Sequence, residues 1–179
     1  RTVRQAGLKD EAKRTALKSG VSVTPGIDNG TTLTLLKKYP DQKALLGVIE
    51  QQDLELEDDA ARDGELEPLA EAVLTASYRK GIDLYTIDEL GETLTEAVVQ
   101  MSQQYPQNRV RLKAIGGGGG KGQRIVPLGQ SDRTPELVRE ILNEVKTTGV
   151  GDNKNVLVEL NIETTRHQEI QVIGNGDWC

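Results

Sequence analysis

Arg109-Val-Arg-Leu-Lys-Ala-Ile-Gly-Gly-Gly-Gly-Gly-Lys-Gly-Gln-Arg-Ile-Val-Pro127 is the stretch that decides the fold. Residues 109–114 alternate apolar and polar side chains as a half-buried strand does, and 123–127 return as a second strand. Between them run Gly116 to Gly122, interrupted only by Lys121. Glycine costs about 0.5–1 kcal/mol against alanine in regular structure, so five in succession select a loop of bare backbone. Successive uncovered N–H groups form a nest for anions, phosphate above all. Lys113, just before the loop, adds a cation at the end of the first strand.

Two familiar phosphate patterns fail here. Gly-x4-Gly-Lys-Ser/Thr requires glycine where Ile115 stands and a hydroxyl where Gly122 stands. Gly117 to Gly122 satisfies Gly-x-Gly-x-x-Gly, but that fold needs a helix after the loop, and Gln123-Arg124-Ile125-Val126 reads as a strand. A strand–glycine loop–strand hairpin fits a flap folding over nucleotide phosphates. A flexible linker is the bland alternative, and the lysines and arginine that bracket the loop argue against it.

Outward from the hairpin, Thr134-Pro135-Glu136 reads as a helix start with Thr134 as N-cap, and its apolar stripe (Leu137, Val138, Ile141, Leu142, Val145) runs on to a stop at Gly149. Residues 156–160 and 169–173 read as two further strands, the second ending at the turn 174–176. Upstream, helices are expected over 9–19, 31–40, 42–51, 66–80 and 87–101, with an extended piece at 21–23 and a turn at Pro25-Gly26. Thr86 and Glu89 form a capping box before the last of these helices. The stripes Leu66, Leu69, Val73 and Leu90, Leu94, Val98 hold no catalytic residue types and read as core faces.

Composition sets the outer limits. The chain has 179 residues and a formal net charge of -6, with a single cysteine, Cys179. That excludes an intrachain disulfide framework and a cysteine-based zinc site. No apolar run approaches membrane-spanning length, and an acidic chain without a basic stripe argues against nucleic acid as partner. A reducing cytoplasm fits. Ten carboxylates between Glu50 and Glu71 face Arg62 alone, so the remainder is mildly basic, which suits an anionic small molecule. The acidic loop over 57–64 is expected to be solvated, since Ala60, Ala61 and Arg62 break the ligand alternation of a calcium loop. Beginning at Arg1 and ending at Cys179, the sequence reads as a piece of a longer protein.

The stretch from Lys113 to Val126 resembles the glycine-rich lid of biotin carboxylases, in the ATP-grasp superfamily. Val156-Leu-Val-Glu-Leu-Asn-Ile-Glu-Thr-Thr-Arg-His-Gln-Glu-Ile-Gln-Val-Ile-Gly174 resembles that family's adenine-binding strand and the Arg-His strand after it. Residues 7–26 resemble the segment leading into the lid. The resemblance implies an α+β fold, a lid subdomain with a small antiparallel sheet and helices; the several helices of 31–107 depart from the family, which usually has about one short helix there, and read as a helical insertion in that fold. Its divisions would be a leading segment at 1–30, an insertion with its own small core and an acidic loop at 31–107, and the lid core at 108–179.

The resemblance also implies roles. Lys9 matches a lysine that reaches ATP from before the lid, and Lys113 the lysine on the phosphates. Gly119 and Gly120 match the backbone that covers those phosphates. Glu159 matches the acid at the adenine amino group, Leu160, Asn161 and Ile162 the hinge along adenine, and His167 a histidine near the ribose. Leu160-Asn161 replace the family's common Lys-Tyr, and Gln123 stands where Met is usual. The implied parent activity is ATP- and bicarbonate-dependent carboxylation of biotin on a carrier domain, in an acyl-CoA carboxylase. Magnesium ligands and catalytic groups are expected beyond residue 179, and the insertion is a candidate for protein contacts. A carbamoyl-phosphate-synthase-like ligase is the nearest rival, disfavoured because that group commonly has Arg at the position of Lys113 and a shorter glycine loop. A non-catalytic nucleotide-binding or docking module is the other.

Overall fold

The structure is a computed structural model that describes residues 9–57, 65–117, 119–166, 168 and 170, with backbone only at 10 and 11. Of the strand expected at 169–173, all but Ile170 lies outside the described residues, as do the turn at 174–176 and 58–64 of the acidic loop. The elements run α1 (Lys9–Lys18), β1 (Gly26–Ile27), α2 (Gly30–Lys38), α3 (Gln42–Gln51), α4 (Leu66–Lys80), α5 (Ile87–Gln104), β2 (Val110–Ala114), β3 (Gln123–Val126), α6 (Thr134–Glu144) and β4 (Val156–Leu160). The four strands form one antiparallel sheet in the order β1-β4-β2-β3. The fold is α+β.

Alternation in β2 sorts the sheet into two faces. Val110, Leu112 and Ala114 are buried, while Arg111 and Lys113 are half-buried on the other side. Across the ladder Arg111 stands opposite Glu159 and Lys113 opposite both Leu157 and Gln123. The apolar face carries α5 and α6, which also pack on each other, and α2 and α4 continue that layer. The polar face is approached from α1, through Lys9 and Lys13. Covered on both sides, β4 is buried along its whole length.

Two helix starts follow from side-chain caps. The capping box forms, with Thr86 Oγ1 accepting from Glu89 N at 3.1 Å and Glu89 Oε2 from Thr86 N at 2.7 Å. Asp41 caps α3 by accepting from Ala44 N at 2.8 Å. At α6 the expectation needs correction. A 3-10 turn at Ser131–Arg133 runs straight into the helix, so Thr134 already has helical dihedrals (φ -53, ψ -45) and Arg133 takes the cap position. The far end is also earlier than Gly149: α6 stops at Glu144, and Lys146 makes the left-handed turn (φ 56).

Residues 21–23 are not a strand; pairing begins at Gly26. A Cβ on Gly26 would lie 2.1 Å from the Val158 carbonyl oxygen, so only glycine lets this segment reach β4. The expectation of a separate core for the insertion also gives way. Leu69, Val73, Leu90, Leu94 and Val98 are buried, with Leu66 packed partly buried beside them, and they share one apolar cluster with Leu112, Val138, Ile141 and Val158. Among the described residues, no helix is long and apolar enough to cross a membrane.

Candidate nucleotide site

Period-two alternation puts Arg111 and Lys113 on the polar face of β2, and antiparallel pairing brings Glu159 of β4 beside them. Lys113 Nζ lies 2.7 Å from Glu159 Oε2. Glu159 is only 8% exposed, and a buried carboxylate needs such a partner. From α1, Lys13 Nζ stands 3.7 Å from the other oxygen, Oε1. Lys9 Nζ donates to the carbonyls of Ile115 (3.1 Å), Ala114 (3.4 Å) and Gly117, seating α1 on the mouth of the glycine loop. From α1, then, Lys9 reaches the mouth of the loop and Lys13 reaches Glu159, the partner of Lys113.

The loop is anchored at its base and open at its tip. Gly122 N donates to Glu144 Oε2 at 2.9 Å, and Ala114 N to the Gly122 carbonyl at 2.8 Å. Gly122 has φ +72, and a Cβ there would come within 2.5 Å of Val145 Cγ1, so glycine is required on both counts. Gly119 and Gly120 have positive φ (59 and 83) and are exposed, as is Lys121. Nothing lies within 4 Å of a Cβ placed on Gly119. Arg124 ties the returning strand to α6 by pairing with Glu140 (2.9 Å) and Glu144 (2.8 Å).

The hinge after β4 is fixed on both sides. Leu160 N donates to the Pro25 carbonyl at 2.9 Å and Asn161 N to the Arg109 carbonyl at 2.8 Å. Leu160 is buried and Ile162 is 47% exposed. Asn161 is buried, its Oδ1 accepting from Arg111 Nη2 at 2.7 Å and Nε at 3.0 Å, while Arg111 Nη1 donates to Gln123 Oε1 at 2.7 Å. Past the hinge, Glu163 accepts from Arg109 Nη2 (2.7 Å), Nε (3.0 Å) and N (3.1 Å). Those bonds, the Arg109 side chain foremost, bring its carboxyl down to about 2. His167 lies outside the described residues.

Sequence reasoning missed Arg111 and Lys13. The signal for Arg111 was present, since it precedes Lys113 by two residues and so shares its face. Lys13 sits one helical turn after Lys9, the spacing that puts both on one side of α1. Among the described residues no group of three or more His, Cys, Asp or Glu side chains comes together, and Glu159 is engaged by lysine.

A family model described as the carbamoyl-phosphate synthase L chain, ATP binding domain, matches residues 82–177, more than half of the chain. The chain belongs to this ATP-grasp family. No curated protein and no solved structure matches it. The matched range of the ATP-grasp domain begins at Ile82 and takes in α5, the β2–β3 hairpin, α6, β4 and the hinge. ATP is therefore the ligand class of the matched domain.

Proposed function

We propose that the chain forms the ATP-binding lid of a biotin carboxylase, the component of an acyl-CoA carboxylase that carboxylates biotin with ATP and bicarbonate. The observation that carries this reading is the exposed glycine loop that leaves β2 directly after Lys113, with Lys9 of α1 bonded to the carbonyls at its mouth. In it, Lys113 and the amides of Gly119 and Gly120 close on the phosphates, and Glu159 and the hinge take adenine. Because the amides of Leu160 and Asn161 are already committed, adenine recognition falls to the Ile162 end, and His167 serves the ribose. Fixed donors aimed at phosphate oxygens stabilise developing charge without reorganising, which is the lid's share of phosphoryl transfer. The general base, the metal ligands and the sites for bicarbonate and the biotinylated carrier domain belong to the parent chain beyond these residues. In this reading the added part of 31–107 narrows to α2, α3 and α4, since the family match takes in α5, and these helices present a surface for protein contacts.

The matched model's own description favours a second reading, a carbamoyl-phosphate-synthase-like ligase. A lysine at 113 and a five-glycine loop support the first. Titrating ATP into the isotope-labelled chain should shift the amides of Gly119 and Gly120, with a dissociation constant of about 1 mM for so partial a contact set. Lys113→Met removes a charge-assisted contact of about 1.5–3 kcal/mol and should weaken binding at least tenfold. An unchanged titration in that variant rules out the phosphate role. In the parent protein, ATP cleavage stimulated by bicarbonate and biotin supports the carboxylase, whereas carbamoyl phosphate formation supports the rival.

A further inference from the structure

The Glu159 carboxylate stands between two ammonium groups that are used unequally. Lys113 Nζ is hydrogen-bonded to it at 2.7 Å, whereas Lys13 Nζ, at 3.7 Å, is too far to donate. Lys13 Nζ is shut off from solvent and has no hydrogen-bond partner among the described residues. A buried ammonium that donates nothing is expensive, and a surface-directed lysine at this position would avoid the cost. The exposures differ in a telling way: the Lys113 side chain is 32% exposed, Lys13 and Glu159 only 9% and 11%. The cation free to swing away is Lys113.

If Lys113 turns to the nucleotide phosphates, as the proposed function requires, Glu159 is left buried with no hydrogen-bonded cation. We infer that Lys13 is a positioning residue, the reserve counter-ion that takes over Glu159 when Lys113 moves to phosphate. The shift it needs is about 1 Å, from its present distance to the length of an ammonium–carboxylate hydrogen bond. Three donors stand unused on Lys13 Nζ, so nothing has to be broken first. The exchange keeps Glu159 paired and fixed beside the hinge, and it releases Lys113 at little electrostatic cost.

This inference rests on the ATP reading, and one set of titrations separates the two. ATP is added to the labelled 179-residue chain and to its variants, with the shifts of Gly119 and Gly120 as readout. Lys13→Met should raise the ATP dissociation constant about tenfold, because Lys113 stays bound to Glu159. Lys13→Arg should restore most of the affinity. In a Glu159→Gln background, where no counter-ion is needed, Lys13→Met should change nothing further. Lys13→Gln serves the same purpose should the methionine variant fail to fold. The inference is overturned, with the ATP reading intact, if Lys113→Met weakens binding and the Lys13 variants do not. Equal losses from Lys13→Met with and without Glu159 make the residue merely structural and also overturn it. No ATP-dependent shift in the unmodified chain removes both.

Discussion

Glu144 controls the glycine loop from a neighbouring helix. Its Oε2 accepts from Gly122 N at 2.9 Å and from Arg124 Nη1 at 2.8 Å. The Gly122 amide first, then Arg124, holds its carboxyl below the ordinary 4.5. A carboxylate whose folded value is depressed contributes its contact fully above the unfolded value and loses it as pH falls through the folded one. The clamp on Gly122 should thus persist at neutral pH and be released only on acidification below 4.5. A pH titration of the Gly122 amide resonance should show a midpoint under that value, and Glu144→Gln should abolish the transition. A midpoint at or above it means that the carboxylate does not hold the loop. The contact with Gly122 was not legible in the sequence. Glu144 follows Ile141 and Leu142 on a helix whose polar face looks ordinary, and only the packing of α6 under the hairpin aims it at the loop.

At the scale of elements, what could be read were features set by neighbours in sequence. Alternation located β2, the return of the chain from the glycine loop located β3, helical spacing located α4 and α5, and the Thr86–Glu89 box fixed where α5 starts. Features set by distant contacts could not be read. The pairing of β1 is two residues long, Gly26 with Glu159 and Ile27 with Val158, too short to leave a pattern. Placement of α1 on the polar face depends on Lys9 and on Lys13, whose target Glu159 lies far along the chain. Gly26 tests how much β1 matters to the hinge. In Gly26→Ala the new Cβ would meet the Val158 carbonyl oxygen at 2.1 Å and Glu159 Cα at 2.8 Å, both backbone atoms that cannot rotate away. The strand must separate, at a cost of about 1–3 kcal/mol as for other overpacked sites. Separation also breaks the bond from Leu160 N to the Pro25 carbonyl. Chemical denaturation should therefore show lower stability, and hydrogen exchange at the Leu160 amide should accelerate. Unchanged protection of that amide means that β1 does not brace the hinge.

For the whole molecule, the arrangement of the core decides how the added helices and the nucleotide face communicate. Leu94 of α5 is fully buried, and it belongs to the same cluster as Leu45 of α3, Val73 of α4, Ile141 of α6 and Val158 of β4. It also lies against Gly30, where a Cβ would come within 2.7 Å of Leu94 Cδ2. One apolar cluster joins helices α2–α4 to the sheet, so stability should not divide there either. Leu94→Ala removes buried volume and leaves a cavity, which should cost about 2–5 kcal/mol. The informative outcome is how that loss is shared. With one core, amide signals from α4 and from β4 should disappear at the same denaturant concentration, in the unmodified chain and in the variant, and the mutation should lower both midpoints equally. With a separate helical core, α4 would melt earlier in the variant while β4 held its midpoint. Coincident transitions require the elements behind the glycine loop to fold as one unit, which ties the geometry of Lys113 and Glu159 to helices with no residue in the site.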